Sequence, residues 1–162
     1  MTGIVTPRLG KNSVLYRNTG SYASPTIATV RNVKDLKVPN SLGEDDVSAR
    51  ITGGFEAMVT TLFKVGISWT MFADDGADIT AIRTAYYAQS VVEFFVMNGA
   101  LTDTNARGLR ITCLIKKFEE SQGNDKAVTY DVEVGPTWPD TTTVGTPTAA
   151  PVVGGSSWTV AS

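Results

Sequence analysis

A chain of 162 residues is long enough for one domain with a real core, held without metal or disulfide support. Its 42% hydrophobic content argues against disorder throughout, and no apolar run approaches the ~20 residues of a membrane-crossing helix. The net charge of −2 is uneven: residues 1–37 carry six basic side chains against one acid, so the remainder is strongly acidic. Such an imbalance either draws copies together head to tail or is an ordinary solvated surface.

Residues 1–11 read as a loose arm whose start, MTGIVTPRLGKNSV, lacks the apolar core of a secretory signal. The chain is therefore expected to be made and folded in a cytosol. Residues 13–17 (SVLYR) form a short strand candidate, closed by the turn-rich Asn18-Thr19-Gly20-Ser21. Pro25 opens a β-branched segment, residues 26–33, with Ile27, Thr29, Arg31 and Val33 on one face and Ala28 and Val30 on the other.

Residues 33–72 form the stretch around which the rest is arranged. A charged, Gly-punctuated excursion over residues 39–54 has the length and polarity of an exposed loop or protruding hairpin. From Phe55 the sequence alternates, and Lys64-Val65-Gly66 turns or bulges the chain. Val65, Ile67, Trp69 and Met71 then share an apolar face against Gly66, Ser68 and Thr70. A long strand pair beside a polar excursion suggests a part built to meet copies of itself, although a plain β domain has the same pattern.

One helix is expected, about ten residues long, with Asp78 capping its start and Ile79, Ile82 and Tyr86 on its inner face. So short a helix must pack on a sheet. Residues 91–97 follow as a strand, and 101–108 as a polar connector. Residues 109–121 form another strand, with Ile111, Cys113 and Ile115 on one face and Leu114 and Phe118 on the other. Gln122-Gly123-Asn124-Asp125 turns the chain into residues 126–138, where Val128, Tyr130, Val132 and Val134 point inward and Thr129, Asp131 and Glu133 outward. These two strands predict an antiparallel hairpin. Residues 141–162, rich in Thr, Pro and Gly and free of charge, read as a flexible C-terminal tail, in which Val152-Val153 and Trp158-Thr159-Val160 could become ordered against a neighbour.

Catalytic constellations are sparse. With no histidine, the commonest general base and metal ligand is missing. The single cysteine, Cys113, lies in an apolar-alternating run and reads as a buried, inert thiol. Asp74-Asp75-Gly76-Ala77-Asp78 lacks the alternating ligands and distal Glu of a calcium loop and reads as a helix entry. Glu119 and Glu120, adjacent on a strand, point to opposite faces and make a poor acid/base pair. No catalytic, cofactor-binding or metal site is expected. An acidic chain with no basic–aromatic stripe is not expected to grip nucleic acid either.

The order of elements and several runs resemble the major tail tube proteins of long-tailed (siphovirus-type) bacteriophages. The runs are Val14-Leu15-Tyr16-Arg17, Asn32-Val33-Lys34-Asp35-Leu36, Gly43-Glu44-Asp45-Asp46-Val47 through Arg50, Asp78-Ile79-Thr80-Ala81-Ile82-Arg83 and Val96-Met97-Asn98-Gly99, with the final strand pair. The resemblance covers most of residues 10–138. It implies a mainly β (α+β) fold, a β-sandwich or barrel-like tail tube fold with one flanking short helix. It further implies that sheets join between subunits in a hexameric ring, a homo-oligomer whose rings stack into a tube. Residues 1–140 would be the tail tube domain, with an N-terminal arm (1–12) and a long stacking loop (39–54). Inter-ring contacts would fall on Glu44, Asp45, Asp46 and Arg50 of the loop and on Arg8 and Lys11 of the arm. Partners would be the tape measure, the tail terminator and the distal tail or baseplate proteins, with dsDNA passing through the lumen without specific binding. The place of action would be the virion tail, assembled in the host cytoplasm. Two alternatives stand beside this: a monomeric β-sandwich binding module, and the inner tube of a contractile injection or secretion machine.

Overall fold

The computed structural model describes residues 10–46, 58–74, 76–137, 149–155, 158 and 160–161. A single 3-10 turn, Gly10–Asn12, leads into β1 (Val14–Asn18), β2 (Ile27–Thr29), β3 (Val33–Lys37) and β4 (Asn40–Asp46). Then come β5 (Met58–Val65), β6 (Ile67–Phe72), helix α1 (Ala77–Ala88) and β7 (Val92–Met97). The chain ends in β8 (Arg107–Ser121), β9 (Thr129–Pro136), β10 (Ala149–Val153) and β11 (Val160–Ala161). The fold is mainly β with one short helix, as the sequence predicts.

At 15 residues, β8 is the spine of the larger sheet. On one edge its first half pairs antiparallel with β7, from Met97↔Gly108 to Val92↔Cys113. On the other edge β10 covers residues 107–111 and β9 covers residues 113–121. The full order is β11-β2-β1-β7-β8-β9-β6-β3, with β10 beside β8. The sheet thus divides midway along β8 into two blades. Leu15, Phe94, Val96, Ile111 and Cys113 of one blade pack with Trp69, Met71, Val132 and Val134 of the other. Trp69 and Phe94 meet edge to face at 5.1 Å, and α1 adds Ile79, Ile82 and Ala85 to this core.

Departures from the sequence reading each have a local cause. The segment 26–33 is not one strand: β2 stops at Thr29, Asn32 takes a left-handed φ of 59°, and Val30 is buried in the core. The helix begins earlier than expected, with Gly76 at the N-cap, because the Asp74 carboxylate already accepts the Gly76 amide at 2.8 Å. Asp78 instead sits within the first turn and pairs with Arg17 at 3.4 Å. In β8 the pairing steps from Ile115↔Val134 to Lys117↔Glu133, leaving Lys116 as an extra residue. Beyond that bulge Phe118 joins the core side, stacked on Tyr130 at 4.9 Å, instead of facing away from Ile115. The connector after β7 is anchored, with Leu101 and Ala106 fully buried and the Leu101 amide donating to the Tyr16 hydroxyl.

Where composition predicts a flexible tail over 141–162, residues 149–153 and 160–161 are strands of the sheet. The cause is the outer face of β1 and β7, which carries Tyr16, Phe95 and Met97 and needs a cover. Val152 and Trp158 supply it, and Trp158 meets Phe95 edge to face at 5.5 Å. The Gly154 and Gly155 amides bond to Ala106 and Leu101 carbonyls at 3.0 and 2.9 Å. A Cβ at Gly154 would lie 2.2 Å from the Asp103 carbonyl oxygen, so only glycine lets the chain come this close.

Cys113 is fully buried, and its thiol faces the Val92 carbonyl at 3.5 Å. Burial first, and the Glu93 carboxylate second, push its pKa well above the usual thiol range, so it stays protonated. Truncating the central aromatic should be costly. Phe94→Ala is expected to lower stability by about 3–5 kcal/mol in urea denaturation; a loss below about 1 kcal/mol would mean that the two blades do not share one core.

Candidate assembly surfaces

Three surfaces lie outside the cores. The first is a ribbon. β3 and β4 are separated by Val38-Pro39, and β5 and β6 by Gly66, whose amide bonds to the Pro39 carbonyl at 3.2 Å. The β3–β6 pair therefore continues into a β4–β5 hairpin that, among the described residues, pairs only with itself, apart from the large sheet. Seven residues of β4 at ~3.3 Å each carry the ribbon about 20 Å. A lone two-stranded hairpin is marginal in water, so a ribbon of this kind is stabilised by whatever it touches. Leu42, an apolar residue on it, is 54% exposed.

Of the residues singled out from sequence, Glu44, Asp45 and Asp46 fall together at the end of β4, in register with Thr60, Val59 and Met58. Glu44 is exposed. Lys11 is exposed in the 3-10 turn before β1 and does not belong to the ribbon. Arg50 and Arg8 lie outside the described residues.

The second surface is the outer face of β3, β6, β9 and the second half of β8. Register sets its side chains in lateral rows. One row runs Lys37, Ser68, Glu133, Lys117, and the next Lys34, Thr70, Asp131, Glu119. Thr70 donates to Asp131 at 2.7 Å, Lys117 pairs with Glu119 at 2.7 Å and Lys34 with Asp35 at 3.7 Å. Glu119 raises the Lys117 pKa above the ordinary lysine range, by its hydrogen bond first and then by its charge. Sequence alternation had placed Asp131 and Glu133 outward. The bulge at Lys116 hid the fact that Lys117 and Glu119 join them.

The third surface is a pair of strand edges. Among the described residues β3 pairs only with β6, and on the side that β7 occupies earlier no strand pairs with residues 114–121 of β8. The four strands β8-β9-β6-β3 are antiparallel neighbours, so this half of the sheet is open at both ends.

The buried charges elsewhere are structural. Glu93 bonds with Arg110 at 2.8 Å and with the Asn18 amide at 2.9 Å, while Arg110 lies 3.8 Å over the Tyr22 ring and donates to the Tyr22 carbonyl. A carboxylate held this way fastens the loop before β2 to β7 and β8 and is no free general base. Among the described residues no group of three or more His, Cys, Asp or Glu is arranged to hold a metal ion. Nor is any described helix long and apolar enough to cross a membrane.

No protein-family model matches the sequence, and no curated protein matches it. The fold does match solved structures. A chain from the tail of an empty gene transfer agent (GTA) particle, obtained by helical refinement with C6 symmetry, superposes with a TM-score of 0.65 at 15% identity, over 80% of this chain and 93% of that one. A chain of the SPP1 tail tube, from solid-state NMR and cryo-EM, gives 0.65 at 15% identity over 80% and 75%. A chain of the six-fold symmetrised anti-feeding prophage (AFP) baseplate gives 0.62 at 8% identity over 96% and 100%. At such identities the likeness establishes a shared fold.

The outer-face pairing is open to titration. Lys117 followed by NMR should titrate above free lysine, and Glu119→Gln should return it most of the way; an unchanged midpoint would mean that the two do not pair in solution.

Proposed function

We propose that this chain is a tail tube protein, a structural subunit of a phage-like particle that forms rings of six and stacks them into a conduit for double-stranded DNA. The observation that carries the reading is the open, four-stranded, antiparallel half-sheet with one face in the core and one polar face. An even number of alternating strands brings β3 of one copy against β8 of the next in antiparallel sense. The ladder then continues around a closed ring and leaves no edge exposed. The fold shared with a tail refined in C6 symmetry and with a tail tube supports six copies and a tubular assembly.

In such a ring the polar outer face of the half-sheet lines the lumen. There the Lys34 and Lys117 ammonium groups each sit against a carboxylate, and Asp131 and Glu133 outnumber the remaining Lys37. Duplex phosphates are repelled on balance, so DNA slides without specific binding. The β4–β5 ribbon, with Glu44, Asp45 and Asp46 toward its end, is the contact between rings. Arg50, Arg8 and Lys11 supply opposite charge, and residues 39–54 act as the stacking element. The role is structural and requires neither catalysis nor a cofactor. Its partners are copies of itself and the tape measure, terminator and distal tail or baseplate proteins at the tube ends, within the virion. The inner tube of a contractile machine is the second reading, favoured by the baseplate chain whose likeness spans nearly all of both chains.

Purified protein at rising concentration should give rings and tubes in electron micrographs. Deleting residues 42–52 should leave a folded subunit that makes no tubes of normal length. Normal tubes from the deletion would remove the ribbon from stacking, and a strictly monomeric wild-type chain would favour a binding module.

A further inference from the structure

Among the strands of the open half-sheet, β3 carries a left-handed residue on its free edge. Val33 and Lys34 pair with Met71 and Thr70, the ladder then skips, and Lys37 pairs with Ser68. Asp35 and Leu36 therefore stand opposite Trp69 alone, a bulge of one extra residue. Asp35 adopts φ 54°, a conformation in which a Cβ crowds the following carbonyl and which glycine adopts freely. Its side chain is 60% exposed, and the Lys34 side chain beside it is 58% exposed.

The core does not ask for this residue. Val33, Leu36 and Val38 all pack against the large core. With Asp35 removed they would occupy alternate positions of a regular strand, still on one face. The extra residue instead disturbs the edge, since bulges and lysines are the devices by which edge strands are kept from pairing with other chains.

We propose that the Asp35 bulge gates assembly. In the free subunit it twists the β3 edge out of line and keeps it from accepting residues 114–121 of a second copy. When β3 meets that strand already held in a ring, Asp35 leaves the left-handed conformation for the right-handed one of an ordinary bulge, with the register to β6 unchanged. A free subunit thus adds to a growing end more readily than it starts a new one. The inference rests on the reading of the half-sheet as the ring-closing surface.

Three full-length proteins test it: wild type, a deletion of Asp35, and Asp35→Gly. Polymerisation is followed by light scattering and electron microscopy, with and without sheared tubes as seeds. The deletion should assemble unseeded with a lag shortened about tenfold, the order set by releasing one left-handed residue. Asp35→Gly, at ease in that conformation, should keep the bulge and lengthen the lag several-fold, and seeding should bring the three rates together. Equal lags in wild type and Asp35→Gly, or a wild type with no lag, would overturn the gate while leaving the ring reading intact. Folded protein that forms neither rings nor tubes in any of the three would overturn the ring reading and the gate with it.

Discussion

Backbone amides and carbonyls at a strand edge need partners, and the way this chain distributes that need explains most of its architecture. β8 is long enough to take β7 on one side of its first half and β10 and β9 in succession on the other. What remains is the β7-side edge of its second half and, three strands away, the outer edge of β3. Among the described residues no strand pairs with either edge. The proposed ring of copies would satisfy both together.

The subunit does not need that ring for its core. Trp69, Phe94 and their neighbours are buried by the two blades and α1 alone, and a second cluster around Phe95 and Met97 is closed by Val152 and Trp158. Folding and assembly are thus separable. The described core is complete in one chain, while the ribbon and the two edges hold what the described residues leave without a partner strand.

Regular alternation was legible in the sequence, and interruptions of it were not. The face of Ile67, Trp69 and Met71 and the hairpin of β8 with β9 follow from period-2 patterning and a strong turn. The bulges at Lys116 and Asp35 leave no such mark, since an extra residue shows only when the partner strand is known. They decide which of Lys117, Phe118 and Leu36 face the core. The C-terminal strands are hard to read from sequence for a related reason. A run of small residues, Thr and Pro reads as linker until the apolar face of Tyr16 and Phe95 that it covers is in view. The ribbon was legible as a protrusion from its polarity, but its role came from resemblance, because charges alone do not say what they meet.

Amide hydrogen exchange on the free and assembled protein tests the ring-closing edges most directly. Assembly should newly protect amides within residues 33–37 and 114–121, whereas those of β7 and β9 should be protected in both states. Tubes in which both segments exchange as fast as in the free subunit would contradict the account.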